Sequence, residues 1–320
     1  MEQEEIRVAG RTLCVPSVKV CNQTVVATGK WLRIATIKDE ELVEGSLFND
    51  PAIFVEEIKR SPLPVDVLTF GQKLPETAPK YDFNFCWDNW AALRITSYKS
   101  WWENQLPRQT RTNVRRAAKC GVVVRRAEFD DELVRGIHAI YNATRNRRGK
   151  PFWHYGKALE TVKRESATYL ERSDFLGAYL EGELIGFVKI VYVDQIATIV
   201  HILSRAEHHD KRPTNALLAK AVETCEGKGM SFLIYGKYFY NGSKDSSLTE
   251  FKHRNGFEEL RFPRYICPLN AKGRLAFRMG LLSDVKGMIP APVTSLMRRL
   301  RSEYYSRCDR WKQRGAAGAG

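Results

Sequence analysis

The chain of 320 residues carries 51 Lys and Arg against 37 Asp and Glu, a formal charge of +14, with 43% hydrophobic and 11% aromatic residues. That apolar content argues against an intrinsically disordered chain and for two domains or one large one. Seven scattered cysteines without a CxxC pair argue against a disulfide framework or a zinc site, and for a reducing, cytoplasmic setting.

Taken in chain order, the acidic start "MEQEEIRVAG" lacks the apolar core of a signal peptide. Residues 1–95 alternate short apolar runs with Pro and Gly, predicting strands near 31–37 and 65–70, helices near 39–47 and 51–59, and loops elsewhere. Helices follow at about 98–104 and 108–119, the second ended by Gly121 before a strand in "VVVRRA" (122–127). Periodicity predicts two more helices, 130–146 and 155–172. "FLGAYL", the turn Glu181-Gly182 and "LIGFVKIVYV" form a hairpin, and "IATIVHIL" adds a third strand. The long apolar run 184–203 is broken by Lys189, Asp194 and His201, so it reads as two strands and a turn and not as a membrane helix. Glu183 and Asp194 fall in turns and are expected to be solvated. A helix begins with Pro213 at its first position, "SFLIYG" (231–236) is a strand, and "GFEEL" and "RYICPL" are expected to pair as a closing hairpin.

The charge is unevenly distributed. Residues 108–126 hold seven cations (Arg108, Arg111, Arg115, Arg116, Lys119, Arg125, Arg126) and no acid, and residues 271–320 hold eleven against three acids. Such patches attract nucleic acid, anionic lipid or a nucleotide-bearing substrate, with plain solubility as the alternative. The helical tail is expected to touch anionic membranes weakly, each basic residue near the surface contributing about 1 kcal/mol.

Two further stretches mix cations with aromatic rings. "YNATRNRRGKPFWHYG" (141–156) presents Arg145, Arg147, Arg148 and Lys150 beside Phe152, Trp153, His154 and Tyr155 in a loop between helices. Cations suit phosphate and aromatic faces stack on sugars or bases, so Arg145, Arg148, Trp153, His154 and Tyr155 are candidate substrate contacts, against a structural reading in which Trp153 and Phe152 plug a core. "YGKYFYNG" (235–242) adds Tyr235, Lys237, Tyr238 and Tyr240 at a strand end.

In "SLTEFKHRNGF" (247–257), Ser247 and Glu250 have capping-box spacing and Gly256 suits a helix end. Leu248, Phe251, Lys252 and Asn255 recur at i, i+3, i+4 and i+7, which sets Lys252 on the apolar stripe. A lysine there either snorkels to water or holds a specific charge in place.

The order helix, helix, three antiparallel strands, helix, strand, short helix, two strands over 130–269, with "GAYLEGELIGF" and "FKHRNGFEEL" at its centre and end, resembles the GNAT fold of N-acyltransferases. "RTNVRRAAKCGVVV" and the Phe251-Lys252 pair make the chain more similar to the FemAB-like, Fem-type aminoacyltransferase branch. The resemblance implies an α/β (α+β) fold of tandem GNAT-like halves with a mixed, mostly antiparallel sheet flanked by helices. The first half (1–125) is expected to be degenerate, the second (126–270) to carry the site, and 271–320 to form the basic tail. It implies transfer of an acyl or aminoacyl group, from acyl-CoA or aminoacyl-tRNA, to an amine of a cell-envelope precursor, sugar or small molecule. The alternative is a catalytically silent binding module for nucleic acid or a phosphorylated precursor.

In GNAT proteins a glycine-rich loop before the central helix holds the coenzyme A pyrophosphate on free amides. The matching stretch "HHDKRPTNALL" (208–218) lacks both glycines, leaving His209, Lys211, Arg212, Thr214 and Asn215 as side-chain candidates for a co-substrate, with no tightly bound cofactor expected. Lys252 takes the place of the family's general-acid tyrosine and is expected to stabilise an oxyanion, worth roughly 3–4 kcal/mol when aimed correctly. Amide formation also needs a neutral amine, and His201, near where this fold splays its strands, is a candidate base against the plainer reading of a strand histidine.

Overall fold

The computed structural model describes residues 2–8, 11–147, 149–240 and 246–282. Three antiparallel strands, β1 (Glu2–Val8), β2 (Arg11–Val20) and β3 (Gln23–Thr28), open the chain, and β4 (Ile34–Ile37) follows. A single 3-10 turn occupies Glu40–Leu42 where a helix over 39–47 is expected, because Asp39 takes a left-handed conformation before it and Val43 an extended one after it. Helix α1 (Pro51–Arg60) starts on an Asp50 cap that accepts from the Ala52 amide, has Pro51 in its first turn, and buries Phe54, Val55 and Ile58. Then come β5 (Val67–Gly71) and the long β6 (Phe85–Arg94), the latter in a region expected to be loop.

Helix α2 (Tyr98–Ser100) runs into a π-helical turn, Trp101–Gln105, and α3 (Arg108–Lys119) leads to β7 (Val123–Ala127). Helix α4 (Asp131–Asn142) is capped by Asp130 and ends four residues short of its expected limit. A small hairpin, β8 (Asn146–Arg147) and β9 (Lys150–Pro151), separates it from α5 (Leu159–Ser166), which is also shorter than the expected 155–172. Strands β10 (Ser173–Leu180), β11 (Glu183–Val193) and β12 (Ile196–Ser204) form the meander read from the sequence. Its two turns place Glu181, Gly182 and Asp194 at positive φ. Helix α6 (Pro213–Gly227), β13 (Phe232–Ile234), α7 (Ser247–Arg254), β14 (Glu258–Pro268) and α8 (Ala271–Arg278) complete the described chain; the tail from 283 lies outside the described residues.

All strands but β8 and β9 join one twelve-stranded sheet in the order β1-β2-β3-β4-β5-β14-β6-β13-β12-β11-β10-β7. The pairings are antiparallel except β4 with β5 and β12 with β13. The closing strand is the main departure from expectation: 258–268 is one strand and not a hairpin, inserted between β5 and β6. Pro263 does not interrupt it. Its carbonyl accepts from the Gln72 amide, on the β5 side, and β5 pairing begins only at Arg264, so the missing N–H falls where no ladder bond is due.

Separate apolar clusters flank the sheet. One packs α3 and α6 on β10–β13 through Leu176, Val188, Ile190, Leu217, Val222 and Leu233. A second packs α1 on β3, β4, β5 and β14 through Val25, Phe54, Ile58, Phe70 and Tyr265. A third packs α4 on β10 and β11 through Ile137, Tyr141, Phe175 and Phe187. Among the described residues, no helix is long and apolar enough to cross a membrane.

The turn after α7 is tightly constrained. Gly256 has φ +84°, and a Cβ there would lie 3.0 Å from the indole nitrogen of buried Trp101 and 3.2 Å from Leu93. The same indole donates to the Asn255 carbonyl at 3.1 Å. Gly256→Ala should therefore lower stability by at least ~1–2 kcal/mol, the left-handed penalty, measured as a shift of the denaturant midpoint.

Candidate active site

Helix α7 is capped one residue earlier than its spacing suggests: Ser246, not Ser247, accepts from the Thr249 amide at 3.0 Å. Glu250 turns outward to Arg254. The register sets Lys252 inward as expected, and its side chain is fully buried. Its ammonium donates to the Lys237 carbonyl at 2.6 Å and lies 4.7 Å and 4.8 Å from the ring centres of Tyr235 and Tyr240. Among the described residues no carboxylate pairs with it. Burial pushes its pKa down to about 8, so it stays largely cationic at neutral pH.

The segment that receives this charge is tied to β6. The Tyr235 amide donates to Ala91 and the Ala91 amide to Gly236, at 2.8 Å and 2.7 Å, and the Phe239 amide donates to the Asn89 side chain at 2.8 Å. The Lys237 ammonium reaches Asp88 at 3.0 Å, and Asp88 also accepts from Arg264 of β14 at 2.8 Å. Burial alone would raise the Asp88 carboxyl, but the Arg264 and Lys237 charges outweigh it and hold it below the usual range. Arg264 closes the network on Glu40, which also accepts from the Gly71 amide.

Because residues 235–239 follow β6, β12 and β13 pair only over Ile196–Thr198 and Phe232–Ile234 and then part. A cavity of about 320 Å³ lies at this parting. Its wall is mostly apolar, with Leu47, Leu74, Trp90, Ile199, Ile234 and Phe262 among its lining. Glu40, Glu41 and Lys73 come to it from the first part of the chain, Tyr235 and Tyr240 from the second. Lys252 lies behind the two tyrosines and does not itself line it. Glu41 is accessible to water yet surrounded by protein. That desolvation, with Glu40 and Asp39 adding to it, pushes its carboxyl up to about 7 against its own backbone amide and Arg264.

The structure gathers some sequence candidates here and not others. Lys252, Tyr235 and Tyr240 meet; Lys237 contributes its carbonyl and is otherwise engaged by Asp88. Tyr238 is buried beside Phe239 and its carbonyl accepts from Thr249. His201 is not among the cavity lining; it faces His154 at 5.9 Å and Phe187 at 6.5 Å on the α4 side of the sheet. His154 is buried on Tyr141, whereas Trp153 (56% exposed) and Tyr155 face solvent with Arg145, so Trp153 does not plug a core. Arg148 lies outside the described residues. At the start of α6, His209 and Arg212 are exposed, Lys211 meets Asp210, and Arg212 itself adopts a left-handed conformation. Thr214 and Asn215 turn inward to Ser204 and Asn255, each at 3.0 Å. Glu41 and the Glu40–Arg264–Asp88 network were not singled out from the sequence; the polar residues inside otherwise apolar β6 and β14 were the available signal.

No family model matches the chain, and no curated protein matches it. Solved structures do. The C-terminal domain of a protein assigned as a lysylphosphatidylglycerol synthetase from Agrobacterium fabrum is 17% identical, with TM-score 0.51 over 83% of this chain and 88% of that one. L-PGS from Bacillus licheniformis is 12% identical, with TM-score 0.52 over 81% and 84%. FemX is 12% identical, with TM-score 0.49 over 88% and 91%. At these identities the likenesses concern the fold alone.

Lys252 provides a test of the burial. Its folded pKa, about 8, is below the ordinary lysine value of 10.5. Between those values the unfolded chain binds the extra proton, so raising the pH through this window should stabilise the native protein. Lys252→Met lacks this contribution. Its stability relative to wild type should be highest below pH 8 and should decline steadily towards pH 10.5, followed by chemical denaturation of both proteins at each pH.

Proposed function

We propose that the protein is a GNAT-type N-acyltransferase that moves an acyl or aminoacyl group, from acyl-CoA or aminoacyl-tRNA, to an acceptor amine. The observation that carries this reading is the buried Lys252 ammonium near the parting of β12 and β13, which pairs with no carboxylate among the described residues. When an amine attacks an ester or thioester carbonyl, negative charge gathers on the carbonyl oxygen. A cation already shielded from water stabilises that charge without reorganising solvent. Tyr240 covers the ammonium on the cavity side and is 47% exposed. Its displacement by the donor carbonyl would bring the charge to the reacting oxygen.

The phosphate-bearing donor has two basic places to lie. One is the α6 start, where His209, Lys211 and Arg212 reach solvent or its edge. The other is the Arg145–Tyr155 loop with exposed Trp153 and Tyr155. Since Thr214 and Asn215 are bonded inward, Pro213 has no N–H and the Asn215 and Ala216 amides donate to the Arg212 carbonyl, an anion here would meet exposed side chains such as that of Arg212. The acceptor class in this reading is an amine of a cell-envelope precursor, a sugar or a small molecule. The acyl donor acts as a co-substrate, and the basic tail would keep the enzyme near anionic membrane.

A thermal-shift panel of acyl-CoAs, aminoacyl-tRNAs and nucleotide sugars identifies the donor, since a ligand that favours the native state raises the midpoint. With that donor, Lys252→Met should lower single-turnover rates roughly 10²–10³-fold, and Lys252→Arg should rescue poorly because the guanidinium is larger and planar. Ligand binding with no transferred mass would leave a silent binding module, and wild-type turnover in the methionine variant would remove Lys252 from the chemistry.

A further inference from the structure

The cavity has three charged residues in its wall, and two are fully committed. Glu40 is held by Arg264 and the Gly71 amide. The Lys73 ammonium donates to the Val43 and Gly45 carbonyls at 2.6 Å each and to Asp194 at 2.8 Å. Gln72 is committed as well, to the Glu76 and Ala78 carbonyls and to the Tyr265 hydroxyl. Glu41 alone has no ion pair and no hydrogen bond to another residue's side chain among the described residues; its carboxylate accepts from its own backbone amide. It is nonetheless held in place. The turn that carries it is clamped by Tyr169 donating to Asp39 at 2.7 Å and by Arg172 donating to the Leu42 carbonyl at 2.8 Å. A water-accessible carboxylate in the wall of an otherwise apolar cavity, with no cationic side chain hydrogen-bonded to it among the described residues, is complementary to a cation with an apolar body.

We infer that this cavity takes a primary amine with an apolar body, and that Glu41 binds its ammonium and accepts its proton; the second half of this assignment rests on the acyl-transfer reading above. The carboxylate takes one proton from R–NH3+ to give R–NH2. The nitrogen lone pair then forms the C–N bond as the acyl C–O or C–S bond breaks. The second nitrogen proton leaves with the departing alkoxide or thiolate, and Glu41, being accessible to water, releases its own to solvent. Its pKa of about 7 suits that exchange at neutral pH. The apolar wall formed by Trp90, Ile196, Ile199, Ile234 and Phe262 receives the rest of the acceptor.

The test is calorimetric titration of the full chain with 2-phenylethylamine and with its uncharged counterpart, 2-phenylethanol. The amine should bind saturably and about tenfold or more tightly than the alcohol, as a hydrogen bond to a charged group implies. Glu41→Gln should abolish that preference at an unchanged thermal midpoint, and Lys252→Met should retain it. Should the glutamine variant misfold, Val200→Trp, which fills the cavity from β12, should remove amine binding instead. Absence of saturable amine binding, equal binding of the alcohol, or a preference surviving in Glu41→Gln overturns the assignment. The two readings fail separately. Amine preference in a protein that transfers no acyl group removes the proton-accepting role and the enzyme reading together but leaves the binding site. Full turnover in Glu41→Gln removes Glu41 and leaves the enzyme.

Discussion

The constraint on which the rest of this structure depends is the burial of the Lys252 ammonium with no carboxylate paired to it among the described residues. Taking such a group from water costs several kcal/mol even after relaxation. Lys252 recovers part through one charged hydrogen bond, about 1.5–3 kcal/mol, and part through two ring faces, each up to about 2 kcal/mol when desolvated. Both contributions come from residues 235–240, so they hold only while that segment keeps its place. Three backbone or amide bonds to β6 and the Lys237–Asp88 pair keep it there. Asp88 in turn needs Arg264, and Arg264 needs Glu40. A side chain near residue 252 is thus supported by a chain of charges that ends near residue 40.

That reach follows from the strand order. Because β14 enters between β5 and β6, the last strand of the described chain completes the sheet of the first part and carries Arg264 to the seam. The same seam is closed from the other direction by Tyr169, Arg172 and Asp194, which grip the 39–45 segment. A cavity rimmed by both parts of the chain therefore has walls that are cross-linked on either side. Glu41 in its wall and Lys252 behind its two tyrosines are thus carried by segments far apart in the chain.

The second part of the fold was legible because its signals are local. The β10–β12 meander has two tight turns whose residues, Glu181-Gly182 and Asp194, take positive φ, and its strands are nearly continuous apolar runs. The inward face of α7 was legible from spacing alone, although the cap lies at Ser246. The first part was not. β1 reads "EQEEIRV", an edge strand with a polar pattern, and β6 contains Asp88 and Asn89 because those side chains serve the site and not the core. "GFEEL" and "RYICPL" look like the two arms of a hairpin, yet they run on as one strand, and Pro263 between them is harmless because it lies before the β5 ladder begins. Glu41 lies in "KDEELVEG", which has the composition of a solvated helix. Only the clamp supplied by residues 130 positions away turns it towards a cavity.

The cavity itself is a result of backbone accounting. Every buried N–H and C=O needs a partner, and residues 235–239 find theirs on β6, so they are unavailable to β12 beyond Thr198. The sheet must open there. Acyl transfer to an amine makes opposite demands on the two ends of such an opening: a base where the amine enters and a cation where the oxyanion forms. If Glu41 and Lys252 could meet, each would neutralise the other, lowering the carboxyl and raising the ammonium away from neutral pH. The rings of Tyr235 and Tyr240 lie on the ammonium, and no ion pair joins the two groups among the described residues. Desolvation sets both values, the carboxyl near 7 with Glu40 and Asp39 adding to it and the lysine near 8 by burial alone.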